Sequence, residues 1–400
     1  MPRIGFDAVR ALRNSTGLGQ YGRRVLRGVL AADSGISGVL YTPAAPREPY
    51  ASLPAELGAP LRLPPPVWRP AGARTWWRTH RLGRQAAADG VTLFHGLSHQ
   101  IPRDLPQLGI ASVVSFLDLI WVRYPGLYPA VDRLSYEWRY RWSAERATAI
   151  VAASRQTALD LQELYGIAPD RIVVVPPPAD PRFAQPVAEA ERQHTLARNG
   201  LPPSFLLSVG TLEARKNQRS AIAAIAQLDP ARTPPLVLVG RDGGTRAELW
   251  RVAGRLGVAD RILIRGAVRD DDLPAVMQSA AVFLYPSLFE GFGLPIVEAL
   301  AAGVPVITTA GGCFTEAGGP ETRYAPANDA SALAEQLRRV LDDAALAERM
   351  RRAGRQHAER FAPPRLAARL LSVYHAVLRD GKLPADQDMA TAEEHDRCAG

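Results

Sequence analysis

Two doubly wound α/β domains facing across a cleft are predicted by three features of this sequence. Short apolar runs alternate with helical stretches through both halves of the chain. A proline-rich, polar stretch from 176 to 203 interrupts the alternation and cannot continue a sheet. The length of 400 residues exceeds what one hydrophobic core ordinarily serves. The expected division is a first domain over 1–180, a second over 201–362, a terminal helix over 363–380 and a disordered polar tail over 381–400.

In chain order, strands are expected over 3–9, 91–95, 111–117, 149–153 and 171–175 in the first half. A helix over 20–32 follows the first strand, and Ser154 is placed to cap another over 155–165. Residues 41–70, rich in Pro, Ala and Gly, read as irregular. The second half carries strands over 205–209, 236–239, 262–264, 281–285 and 304–308, with helices over 219–228, 246–256 and 296–302 between them. Late helices are expected over 331–342 and 344–361, and Pro363 opens a last amphipathic one.

With 47% hydrophobic and 22% charged residues the chain is ordinary globular protein. No apolar run approaches the roughly 20 residues of a membrane span, and the first residues lack the long apolar core of an export signal. Cys313 and Cys398 make neither a disulfide framework nor a metal site. A reducing cytoplasm is the expected compartment.

The net charge of +8 is unevenly placed, with 24 Arg and Lys against 16 Asp and Glu in residues 1–200 and 24 against 24 in the rest. The excess concentrates around Arg62, Arg69, Arg74, Arg78, Arg81 and Arg84, among Trp68, Trp76 and Trp77. It recurs at Arg133, Arg139, Arg141 and Arg146 with Trp138 and Trp142. Basic residues beside Trp suit an anionic membrane surface, peripherally bound, or nucleic acid, or belong to solvated arginines around a Trp-containing core.

The chemistry concentrates at residues 290–298, Glu-Gly-Phe-Gly-Leu-Pro-Ile-Val-Glu, between an expected strand and helix. A glycine loop at a helix N-terminus offers backbone N–H groups to an anion. Glu290 in the loop and Glu298 in the first turn add carboxylates that accept from hydroxyls, so the implied ligand carries both hydroxyls and phosphates. The alternative is a plain helix start decorated with acids. A second loop, Gly210-Thr-Leu-Glu-Ala-Arg-Lys-Asn217, places Arg215 and Lys216 beyond the carboxyl end of another strand. Cations there oppose the following helix dipole but neutralise a departing diphosphate. Gly17, Gly19 and Gly22 match G-x-G-x-x-G, although seven residues separate the strand from Gly17 where a dinucleotide turn is tight. These glycines read as letting a loop approach a ligand. His95 and Asp118 end strands, facing the expected crevice.

Together these segments resemble the retaining glycosyltransferases of family 4, the group 1 glycosyltransferases, with the two-domain GT-B fold of Rossmann-like halves. The likeness covers nearly the whole chain. The run from Glu290 to Glu298 is similar to the family's Glu-x7-Glu motif, the loop from Gly210 to Asn217 to its donor diphosphate loop, and Ser15 to Tyr21 to its N-terminal glycine loop. Thr315 to Gly319 resembles a Pro-Glu-x-x-Gly segment without the proline.

The resemblance implies that the last helix returns to the N-terminal domain, which carries the acceptor side. It further implies that Glu298 holds ribose hydroxyls and Glu290 those of the transferred sugar, while Gly291, Phe292, Gly293 and Leu294 offer backbone N–H groups. Gly210, Thr211, Arg215 and Lys216 would bind the diphosphate, with Gly17 and Gly19 approaching from the other domain. Transfer would be retaining, with neither cofactor nor metal, from GDP-mannose or a UDP-hexose to a saccharide or lipid-linked acceptor in bacterial surface polysaccharide or lipopolysaccharide assembly. The Arg-Lys-Asn form tilts the donor toward GDP-mannose. Where many members carry His-Asp, this chain has Leu117-Asp118. His95, His99 and Asp118 are then the acceptor-side candidates.

Two readings from other classes attach to the same residues. An NAD-dependent sugar-nucleotide enzyme would use Gly17 to Gly22, and a non-catalytic nucleic-acid-binding protein would use the arginine face. The second leaves the Arg215 and Glu290 loops unexplained.

Overall fold

A computed structural model describes residues 1–33, 35–66, 71–381 and 383, Ala71 by its backbone alone. The chain forms two compact units, one of residues 1–178 with the segment from Pro363 onward, the other Ala179–Ala362. Apolar, β-branched runs buried on both faces become parallel strands in each.

In the first unit these are β1 Arg3–Asp7, β2 Ser37–Tyr41, β3 Leu61–Arg62, β4 Leu93–Gly96, β5 Ala111–Phe116, β6 Ala149–Ala152 and β7 Ile172–Val174. They lie in the order β3-β2-β1-β4-β5-β6-β7, all parallel. The second unit holds β8 Phe205–Val209, β9 Leu236–Val239, β10 Ile262–Arg265, β11 Ala280–Tyr285, β12 Val306–Thr309 and β13 Arg323–Ala325, in the order β10-β9-β8-β11-β12-β13. Phe94, Phe116, Val114 and Trp77 pack in the first core, and Leu206, Ile222, Leu238 and Leu337 in the second. The strand series reverses between β1 and β4 and again between β8 and β11. Loops that leave the carboxyl ends at such reversals splay apart and leave a crevice for ligand.

Both doubly wound sheets are as expected, and the terminal helix does return to the first unit. It spans Pro363–Asp380 and packs on the helix Gly17–Ala32. Its buried residues Leu366, Leu370, Val373, Tyr374 and Val377 recur at helical spacing, so one apolar stripe specifies the docking.

Several elements differ from expectation. The stretch 176–203 is expected to separate the two domains, yet residues from Ala179 onward belong to the second unit and include the helix Glu189–Arg198. Arg198 and Asn199 at its end donate to Asp272 at 2.6 and 3.1 Å, which ties the helix down. Strands β2, β3 and β13 were not foreseen. The two-residue β3 and the three-residue β13 carry no periodicity of their own and are strands through pairing with β2 and β12, while the five-residue β2 pairs with β1. Strand β1 ends at Asp7, and the short helix Val9–Arg13 follows. The expected disordered tail lies outside the described residues except for Gly381 and Leu383, as do Trp68 and Arg69.

Two members of the arginine and tryptophan cluster belong to the fold. Trp77 is 2% exposed. Arg78 donates to Asp7 Oδ2 through two nitrogens at 2.9 and 2.6 Å, and Asp7 is itself buried. Leaving such a carboxylate unpaired costs about 3–5 kcal/mol, against about 0–1 kcal/mol for an exposed pair. Arg78 therefore holds the helix Ala71–His80 to the end of β1.

Candidate functional site

Strands β8 and β11 are neighbours, so the loops leaving their carboxyl ends meet. Arg215 and Lys216 leave β8 in a 3₁₀ turn that Asn217 closes with φ 52°. Asn tolerates this left-handed conformation, and its side-chain amide donates to the Pro286 carbonyl at 3.2 Å while its Oδ1 accepts from Ser220 at 2.9 Å. The two cations are thereby aimed at Glu290, 2.7 Å from Arg215 and 2.6 Å from Lys216, one carboxylate oxygen to each. All three side chains are largely buried, at 11–17% exposure.

Burial alone would push the Glu290 carboxyl up, but Lys216 and Arg215 outweigh it and hold the group down at about 2. Burial also works against Arg215, where Glu290 and Glu213 more than compensate and raise it. Lys216 ends below its ordinary value, because burial, aided by the Arg215 charge, exceeds the pull of Glu290. A carboxylate bridging two cations is thus set at a crevice, and incoming phosphate would compete with it for both. The cluster can take up anionic charge without importing any.

The helix Leu294–Ala301 starts after Gly293, whose φ of 109° suits glycine and no other residue. Glu298 is its fifth residue, buried, and stands one turn further in than the sequence reading placed it. Phe292 puts its ring on Phe361 at 5.2 Å, so it contributes backbone to the loop and side chain to the core. Gly210 and Thr211 are half-buried at the end of β8, and Gly291 and Leu294 are half-buried beside Glu290 and the helix start. All the donor-side candidates of the second unit therefore surround the β8 and β11 loops.

In the first unit, Gly17 and Gly19 lie inside the helix Gly17–Ala32 and not in a tight strand-to-helix turn, which removes the dinucleotide fingerprint. A Cβ at Gly19 would fall 1.8 Å from the Asn14 carbonyl oxygen, so this glycine serves its own loop. A Cβ at Gly17 would meet nothing within 4 Å.

The histidines are another correction. His95 is fully buried in β4, its Nδ1 2.5 Å from Tyr374 Oη and its Nε2 2.8 Å from Ser115 Oγ, which in turn lies 2.7 Å from Tyr21 Oη. Burial pushes its pKa down to about 3. This network ties the terminal helix to the first sheet, and His95 presents nothing to an acceptor. His99 is 5% exposed, accepts from the Leu117 N–H at 3.1 Å and sits among Phe116, Trp121 and Tyr140. Burial, then Arg10, lowers it to about 3 as well. It braces the segment where the His-Asp pair was missing. Asp118 is half-buried and accepts from the Ile120 N–H at 3.2 Å, at the carboxyl edge of the sheet.

Sequence reasoning missed three supports of Glu290. Tyr285 Oη accepts from Lys216 at 2.7 Å, Glu213 pairs with Arg215 at 2.6 Å, and the buried Cys313 thiol donates to the Glu290 carbonyl at 3.2 Å. Tyr285 had a signal, being the last residue of β11. Cys313, the first residue of the helix Cys313–Gly318, had none.

Two family models match the chain, Glycosyltransferase Family 4 over residues 17–183 and Glycosyl transferases group 1 over 191–357. The chain is 35% identical over 245 residues to a 2-deoxystreptamine glucosyltransferase of Streptomyces kanamyceticus, covering 60% of this chain and 63% of that protein. It is 30% identical over 293 residues to O-antigen chain mannosyltransferase B of Escherichia coli, covering 70% and 74%. A D-inositol 3-phosphate glycosyltransferase of Salinispora arenicola is 33% identical over 262 residues, covering 61% and 58%. The match thus spans less than two thirds of the first and third relatives. Among solved structures, sucrose-phosphate synthase from Thermosynechococcus elongatus is similar with a TM-score of 0.73 and 23% identity, over 94% of this chain and 99% of that one. Anabaena HepE in complex with UDP-glucose follows at 0.72 and 17%, over 94% and 100%. At these identities the structural likeness speaks for the fold, and the sequence matches speak for the family. The chain belongs to the group 1 glycosyltransferases of family 4 and has their GT-B fold.

Proposed function

We propose that this glycosyltransferase moves a hexose, mannose in preference, from a nucleoside diphosphate sugar to a saccharide or lipid-linked acceptor with retention of configuration, in bacterial surface polysaccharide assembly. The observation that carries the reading is the contact of Arg215 and Lys216 with Glu290 at 2.7 and 2.6 Å. In this scheme Glu298 accepts from the ribose hydroxyls and Glu290 from hydroxyls of the transferred sugar. The bond from the anomeric carbon to the diphosphate oxygen breaks, and Arg215 and Lys216 neutralise the charge that gathers on the departing diphosphate. The acceptor hydroxyl attacks the same face, and its proton passes to the leaving phosphate oxygen. The reading needs neither metal nor protein nucleophile, because the two side-chain cations take the neutralising part.

The mannose preference rests on the Arg215-Lys216-Asn217 sequence and on the mannosyltransferase among the relatives. Hydrolysis of GDP-mannose, UDP-glucose, UDP-galactose and ADP-glucose by the purified chain tests it. GDP-mannose is expected to turn over fastest. Turnover of none of the four removes the nucleotide-sugar reading, and a faster UDP-sugar removes mannose.

Among the described residues no helix is long and apolar enough to cross a membrane. We place cytoplasmic, peripheral contact with an anionic inner-membrane surface on a ridge in the first unit, away from Trp77 and Arg78. Val131, Leu134 and Trp138 are 78, 67 and 56% exposed and spaced to share a face of the helix Ala130–Tyr136 and its continuation Glu137–Arg141. Arg133 and Arg139 lie in the same two helical segments, and the Arg103 guanidinium lies 3.6 Å from the Trp138 ring centre. Apolar groups on a basic rim fit anionic headgroups. The wild-type chain is expected to float with vesicles containing phosphatidylglycerol, and a variant with Val131, Leu134 and Trp138 changed to Ser to stay behind. Equal flotation of the two, or none by the wild type, rejects the ridge.

A further inference from the structure

Several arginines of the first unit have a carboxylate to face: Arg27 has Glu56, Arg62 has Asp89, Arg78 has Asp7 and Arg123 has Asp160. Four others do not. Among the described residues no carboxylate pairs with Arg10, Arg13, Arg47 or Arg74. The fold nevertheless gathers them at the carboxyl ends of β1 and β2, which are adjacent strands. The helix Val9–Arg13, directly after β1, carries Arg10 and Arg13. The loop after β2 is strapped onto it, because the Arg13 guanidinium donates to the Ala45 carbonyl and the Arg47 N–H donates to the Leu12 carbonyl at 2.9 Å. The third segment is the helix Ala71–His80, pinned over Asp7 by Arg78 at 2.6 Å. Arg74 is one turn before Arg78, so it shares the face that is held against the end of β1.

We infer that Arg13, Arg47 and Arg74, with Arg10 beside them, form an anion site for a phosphate or diphosphate group of the acceptor. This deepens the transfer reading above and rests on it. Arg10, Arg13 and Arg74 are half-buried, where water screens like charges poorly. A fold that holds them together without a carboxylate lacks only the counter-charge, and a phosphate supplies it with oxygens matched to guanidinium forks. Arg13 already feels the crowding: its partial burial, then Arg47 and Arg74, pull it below its ordinary value. The site lies over the ends of β1 and β2, where Arg10 acts on His99 and the helix starting at Gly17 follows in the chain. An acceptor anchored there by its phosphate is recognised by charge at one end.

Titration with inorganic pyrophosphate tests the site, using a Lys216→Ala background that blunts the donor cluster. That chain is expected to bind pyrophosphate, and adding Arg13→Gln with Arg74→Gln is expected to weaken the binding at least tenfold. Without anion, Arg74→Gln alone should melt at a higher temperature than wild type, since a repelling charge is gone, and should show a smaller rise on adding pyrophosphate. Pyrophosphate binding absent from the Lys216→Ala chain, or undiminished by the arginine changes, overturns the site. Displacement by a hexose 6-phosphate names a soluble acceptor and displacement by a polyprenyl diphosphate in detergent a lipid-linked one. Displacement by neither detaches the site from the acceptor and overturns the assignment. Donor hydrolysis by the wild-type chain reports separately on the transfer reading, so loss of one leaves the other standing.

Discussion

Lys216→Ala is expected to abolish glycosyl transfer, with kcat lower by about 10²–10³-fold or more, the usual loss on removing one preorganised donor to developing negative charge. The ammonium has three N–H donors. Two are directed at Glu290 and Tyr285 at 2.6 and 2.7 Å, which fixes the nitrogen and leaves the third for a phosphate oxygen. Alanine removes that third contact together with the anchored charge. The fold should survive, because Arg215 still pairs with Glu290 at 2.7 Å. Thermal melts alongside kcat measurements separate the two effects, and a folded variant that keeps more than about a tenth of wild-type kcat contradicts the role.

Glu290→Gln is expected to lower transfer by a comparable factor while nucleoside diphosphate binding holds or tightens. The amide keeps the shape of the side chain but not its charge, so Arg215 and Lys216 lose the carboxylate that competes with phosphate for them. Binding of the departing group and turnover then move in opposite directions, which a general unfolding would not produce. A pH signature accompanies this. The Glu290 carboxyl is held at about 2 in the fold against an ordinary value of 4.5. A depressed carboxylate stabilises the fold above its ordinary value, and that contribution is lost as pH falls from about 4.5 toward about 2. The Glu290→Gln chain should therefore lose less stability than wild type over the acid end of this window. Urea melts between pH 5 and 3 follow it, and an identical acid slope in the two chains would rule out the pairing.

Much of this site was legible in the sequence because its parts are local. The run from Glu290 to Glu298 packs strand exit, glycine turn and helix start into nine residues, and Arg215 and Lys216 sit directly after an apolar strand. What was illegible depended on partners far along the chain. His95 ended an expected strand like a site residue, yet Tyr374, 279 positions away, takes its ring nitrogen into the core. Arg78 read as a surface charge in every alternative until Asp7 claimed it, and of the readings left open for Trp77 the core is the one realised. The three-residue β13 had no pattern to detect, and only its pairing with β12 defines it.

The sequence by itself determined the alternation of strand and helix, hence two parallel sheets, and placed a carboxylate loop and a dication loop each at a strand's carboxyl end. Tertiary structure decided that those loops meet. Strand order is non-local, set by which strand pairs with which, and here β11 returns to lie beside β8. That pairing brings Lys216 to within 2.6 Å of a carboxylate 74 positions away. Strand pairing at the β1 end likewise strapped the loop of Arg47 onto Arg13. In each case the residue types were written locally, and the electrostatics arose where the sheet reverses.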